Sequence, residues 1–187
     1  MAQAAIHENS PGQDLQALTL PQKQARVGVV VLNGTLVLAY RKPNIRPANT
    51  GPRYDFQFPQ GAYLQEDNKL MGTAARRIVG KDLPNGGMDH LEILDMVPRL
   101  TNTPLPDEFA RQKGAQHLVG DWVLMRLKPG VESSEFRAPS PSDHVWIPWW
   151  ELLAECSNLR EHDYRLVLNK FSKYLPVQPE DWNSPLH

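Results

Sequence analysis

Hydrophobic and polar positions along this chain follow two periods, and the switches between them mark out the elements. Arg26–Leu32 is a short β-branched run and predicts a buried strand. Asn33-Gly34 follows, a strong hairpin signal, so Thr35–Arg41 is read as the partner strand. Residues 43–53 hold Pro43, Pro47, Gly51 and Pro52 without any period and predict a loop. Phe56–Gln60 alternates and meets Pro59 and Gly61, which reads as a short strand running into a turn.

The period then becomes helical. Leu70, Ala74 and Ile78 recur at four-residue spacing and predict one apolar stripe on a helix over 68–81, ended by Pro84-Asn-Gly-Gly87. Leu91–Val97 predicts a strand, 100–115 a loop containing Pro104 and Pro106, and His117–Leu127 a long strand. A polar loop over 128–142 leads to a short strand at 145–147. A helix over 149–156 follows Pro148, and a final amphipathic helix over 160–174 carries Tyr164, Leu166, Leu168 and Phe171. The order predicts an α/β layered domain with a mixed sheet. It is expected to comprise a flexible arm over 1–24, one domain over 25–175 and a tail over 176–187.

Composition narrows the classes. With 41% hydrophobic and 22% charged residues in 187, a packed core is expected and global disorder is not. A net charge of −1 excludes a broadly basic nucleic-acid coat while leaving room for a local patch. The one cysteine, Cys156, cannot form an internal disulfide or a cysteine-rich zinc site, which predicts an intracellular, reducing compartment. Cytoplasm and organelle matrix are not separated by it. No apolar run reaches the ~20 residues of a membrane span, so no membrane partner is expected. Met1–Asp14 has neither a secretory apolar core nor an Arg-rich transit pattern.

Phe56-Gln-Phe-Pro-Gln-Gly-Ala62 resembles the start of a Nudix box, above all that of RNA pyrophosphohydrolases and dinucleoside polyphosphate hydrolases. Val27–Val31 and Leu38–Arg41 resemble that family's first two strands. Trp146–Leu153, Asp163-Tyr-Arg165 and Val167–Phe171 resemble its C-terminal signature. The resemblance spans roughly 25–175 and implies a Nudix-type α/β/α sandwich with a mixed β-sheet. It places Gly61 at the first box glycine and Asp67, beside Glu66, at the first acidic position. A one-residue insertion near Gly72 then puts Arg76 at the box arginine and Ile78 at the apolar position. The three catalytic glutamate positions would be held by Arg77, Gly80 and Lys81, the closing glycine by Leu83, and a further acidic position by Ser140.

The resemblance implies chemistry in which water attacks phosphorus while divalent metal neutralises a polyphosphate. Three glutamates on one helix face would hold magnesium. Replacing them with two cations and a glycine turns that face positive. It would repel metal and attract phosphate, with Arg77, Lys81, Arg41 and Gly61 as ligand contacts. Arg77 and Lys81 read equally well as solvated helix charges. The expected function is a non-catalytic module for a nucleotide or an RNA 5′ phosphate end, or a subunit of a protein complex, with no cofactor. The alternative is an active pyrophosphohydrolase that uses Mg or Mn through Glu66, Asp67, Asp107 or Glu108. Glu66 and Asp67 read more simply as an exposed acidic pair before a helix, and Asp82 lies off the required face. Trp122, Trp146, Trp149 and Trp150 are expected in the core, with one of the adjacent pair facing away from it. The six histidines have no metal-ligand spacing.

Overall fold

The strand β1 (Lys23–Asn33) is the axis of the sheet, and its alternating side chains build two cores. Val27, Val29 and Val31 point to one face, and Val30 and Leu32 to the other. The computed structural model describes residues 23–43, 54–80, 87–131, 144–155 and 158–177. β1 begins at Lys23, inside the segment expected to be an arm. Residues 1–22 and 178–187 lie outside the described residues.

Among the described residues seven strands form one mixed sheet. β1 turns through Asn33-Gly34 (Gly34 φ 59°) into β2 (Leu36–Pro43), which pairs with β3 (Tyr54–Gln57). The predicted single strand at 56–60 is therefore split: β3 ends at Gln57, and β4 (Gln60–Ala62) pairs instead with β1. β5 (Leu91–Pro104) and β6 (His117–Leu127) are antiparallel, β6 runs parallel to β1, and β7 (His144–Pro148) pairs with β2. The path runs β3-β2-β1-β6-β5, which leaves β5 at an edge.

One layer of helix covers each face. α1 (Met71–Gly80) packs Ala74, Ala75, Ile78 and Val79 over Val27, Val29, Val31 and β6. On the other face α3 (Trp149–Glu155) and α4 (Asn158–Lys170) bring Leu152, Tyr164, Val167, Leu168 and then Phe171 against Val30, Leu32, Phe58 and Trp122. Each large side chain fully buried in this way contributes about 1.5–3 kcal/mol.

Three expectations need correction. The segment 100–115 is not a loop. β5 continues to Pro104 because Thr101–Pro104 pairs with His117–Gly120, and α2 (Asp107–Lys113) follows. Pro106 precedes α2, and Gly114 at φ 64° closes it. The helix expected from 68 starts only at Met71, because Asn68 and Lys69 sit at φ 50° and 61°. Leu70 is consequently 60% exposed and leaves the stripe that was expected to contain it. Likewise Leu166 is exposed, while Tyr164, Leu168 and Phe171 are buried. Of the tryptophans, Trp122 is core; Trp146, Trp149 and Trp150 are half-buried, the last two edge to face at 5.6 Å.

Candidate functional site

Of the residues singled out in the sequence, Gly61, Glu66, Asp67 and Arg77 lie where β4 runs into α1. A short 3-10 turn over Gln65–Asp67 bends the chain back on itself. The Asp67 carboxylate accepts the Leu64 backbone N–H at 2.7 Å, which closes the turn. Two consecutive left-handed residues, Asn68 and Lys69, then aim the chain into α1. Such a conformation costs about 1–2 kcal/mol for each residue with a side chain.

Arg77, in the last turn of α1, reaches back to this turn. Its Nε donates to Asp67 Oδ1 at 2.9 Å and its Nη2 to Asp67 Oδ2 at 2.7 Å, a two-pronged pairing of guanidinium and carboxylate. Nη2 also donates to the Ala62 carbonyl at 2.7 Å. The arginine thereby ties the end of the helix to both β4 and the turn. Hydrogen bonds from Arg77 hold the Asp67 carboxyl below its ordinary value, helped by the Leu64 N–H and the Arg77 charge and opposed by burial.

Asp67 is only 1% exposed, so it is not the exposed acid expected from sequence; Glu66 is, with its side chain 70% exposed and 3.8 Å from Arg77 Nε. Of the three expected cationic contacts, Arg77 is engaged with Asp67 and Ala62, and Arg41 lies on β2 opposite Phe56 of β3. Lys81 lies outside the described residues, as do Asp82, Leu83, Ser140 and Cys156. Gly80 ends α1, which carries no acidic residue along its length. Gly61 has a packing role: a Cβ there would come within 2.9 Å of Ile78 Cγ1, so glycine lets α1 settle onto β4. Arg76 is exposed. Asp107 and Glu108 are exposed in the first turn of α2. Among the described residues no three His, Cys, Asp or Glu side chains converge as a metal site would require.

Two polar anchors escaped the sequence reading. Tyr63 donates from its hydroxyl to Asp121 Oδ2 at 2.5 Å, and the Arg99 N–H donates to Asp121 Oδ1 at 2.7 Å. Burial pushes the Tyr63 phenol up, with its hydrogen bond to Asp121 and the charges of Asp121 and Asp67 acting in the same direction. On the far face, buried Tyr164 accepts the Phe58 N–H at 3.1 Å and a Gln60 side-chain N–H at 3.0 Å. Phe58–Gln60 is thus clamped from α4, and the turn after it from α1. The resemblance of both 56–62 and 163–165 to one family was the signal that these two segments belong together; nothing in their spacing gives the contact.

No protein-family model matches the sequence, and a search of curated proteins finds no match. Solved structures do match in shape. A Nudix hydrolase from M. smegmatis superposes with a TM-score of 0.52 at 10% identity, covering 85% of this chain and 90% of that one. The E. coli dihydroneopterin triphosphate pyrophosphohydrolase gives 0.53 at 11%, covering 80% and 96%. A bifunctional NMN adenylyltransferase/ADP ribose pyrophosphatase from Francisella tularensis gives 0.55 at 13%, covering 87% of this chain and 44% of that one. At such identities the likeness establishes architecture: the chain has a Nudix-type α/β/α fold. No helix among the described residues is long and apolar enough to cross a membrane.

Proposed function

We propose that this Nudix-fold chain is a non-catalytic binding module or complex subunit, related to RNA 5′-pyrophosphohydrolases but without their metal-dependent hydrolysis. The observation that carries the reading is an α1 without carboxylates, beside an Asp67 whose charge is already taken up. Magnesium is held by several hard oxygens in a near-octahedral shell. Both Asp67 oxygens accept from Arg77, one also from Leu64, and the group is buried. Glu66 offers a single exposed carboxylate. That donor set does not fit a divalent platform.

The pairing also bears on register. Arg77, not Arg76, grips the acid at the first acidic box position, which favours Arg77 as the box arginine. The three glutamate positions then fall on Ile78, Lys81 and Asp82. Ile78 is buried against Gly61, so one carboxylate at most returns to the face.

The test is incubation of the full chain with 5′-triphosphorylated RNA and with dinucleoside polyphosphates, in Mg or Mn. No release of phosphate or pyrophosphate above a protein-free control is expected. Robust turnover abolished by Glu66→Gln or Asp82→Asn would overturn the proposal in favour of an active Mg- or Mn-dependent pyrophosphohydrolase. Binding of the same ligands in EDTA then separates the two branches: saturable binding supports a nucleotide or RNA 5′-end module, and its absence supports a protein-complex subunit.

A further inference from the structure

The turn that withdraws Asp67 into the fold also turns Leu70 out of it. Leu70 is 60% exposed, and beside it a groove of about 540 Å³ opens between the first turn of α1 and the edge strand β5. Met71 and Ile93 line it together with Met96, which is 46% exposed; Lys69 and Arg76 supply its charge. Gly72 lets α1 approach β5 closely here, since a Cβ there would press to 3.2 Å from Ile93 Cδ1.

We infer that this groove docks an acidic segment of a partner protein that carries apolar anchors, an inference that rests on the binding-module reading above. Three observations select the occupant. Among the described residues both charged groups lining the groove are cations and no acid lines it, so its charge complements Asp and Glu. Asp95, next to Met96 on β5, is engaged by Lys173 at 3.5 Å. The apolar surface is aliphatic and rich in pliable thioethers, which suit side-chain anchors, and among the described residues it offers no ring on which a nucleobase could stack. A second copy docked groove to groove by two-fold symmetry would set two linings charged by Lys69 and Arg76 against each other, a like-charge juxtaposition.

The experiment selects a phage-displayed random peptide library on the full chain and counter-selects on Leu70→Asp. Enriched peptides are expected to combine Leu, Phe or Met with Asp or Glu. Their affinity is expected to fall about tenfold in Leu70→Asp and in Met96→Asp. It should also fall in Arg76→Glu and with added salt. All three side chains are exposed, so unchanged thermal melts confirm that the variants fold. Peptides that lack acids, that ignore all three variants, or that fail to survive counter-selection overturn the inference. So does binding of an RNA oligonucleotide lost in Arg76→Glu, which makes the face a nucleic-acid surface. A monomer–dimer equilibrium in sedimentation that disappears in Leu70→Asp overturns it in favour of self-association. Failure here leaves the absence of turnover standing, whereas turnover would remove the functional reading without emptying the groove.

Discussion

Asp67 and Arg77 stand ten residues apart in sequence and meet as a buried carboxylate and a partly exposed guanidinium. The carboxyl is held below its ordinary value of 3.8, so its contribution to stability is full above that value and is lost as pH falls through the depressed one. Asp67→Asn is therefore expected to lower Tm at neutral pH. The gap between variant and wild type should narrow in acid, below pH 3.8, as followed by circular dichroism melts across a pH series. A gap that stays constant into strong acid would dismiss the pairing as a stabilising element. Arg77→Lys keeps the charge but not the fork that satisfies two Asp67 oxygens and the Ala62 carbonyl. It should lose stability as well, and more than Glu66→Gln, whose carboxylate is exposed.

At the scale of elements, the segment from Phe58 to Asp67 is positioned by helices on both faces of the sheet. Tyr164→Phe removes the acceptor of the buried Phe58 N–H and is expected to destabilise by about 1–3 kcal/mol in urea unfolding. An effect near zero would mean that water takes over the role of the hydroxyl. Gly28→Ala probes the sheet itself: a Cβ would lie 2.5 Å from Trp122 Cζ3, and the expected loss is about 1–3 kcal/mol. The described strands and helices differ in how readable they were. β1, β2 and β6 announce themselves as apolar, β-branched runs because the sheet is covered on both faces, and the C-terminal helices by an apolar stripe. The second half of β5 and α2 do not. Thr101–Pro104 is held by pairing with β6 across a bulge between Val97 and Thr101, and prolines at 104 and 106 read as breakers although one ends a strand and the other starts a helix. The late start of α1 was hidden for a similar reason, since left-handed Asn68 and Lys69 interrupt a pattern that looks continuous.

For the molecule as a whole, the same features that made the fold legible concealed the state of its site. Periodicity and the resemblance at 56–62 carried the α/β/α architecture, because both report on burial. Whether a charged side chain is free or engaged depends on what the turn brings beside it, and Arg77, read from sequence as an open cation, is instead a strut. This leads to a test of the strut and of the non-catalytic reading proposed above. Arg77→Glu combined with Gly80→Glu and Lys81→Glu, the glutamate positions of the register that takes Arg76 as the box arginine, would set a second carboxylate against buried Asp67 and remove the cation that neutralises it. Like charges facing one another in a water-poor site disfavour the folded state. The triple variant is expected to melt well below the wild type, whereas Gly80→Glu with Lys81→Glu, which keeps Arg77, is expected to stay folded. Adding Asp67→Arg to the triple variant reverses the pair and should recover part of the lost Tm, a coupling that a double-mutant cycle reads directly. Magnesium-dependent turnover is expected from none of them. A triple variant with native Tm and measurable hydrolysis would show that the positive strut is dispensable and that this surface still accepts metal.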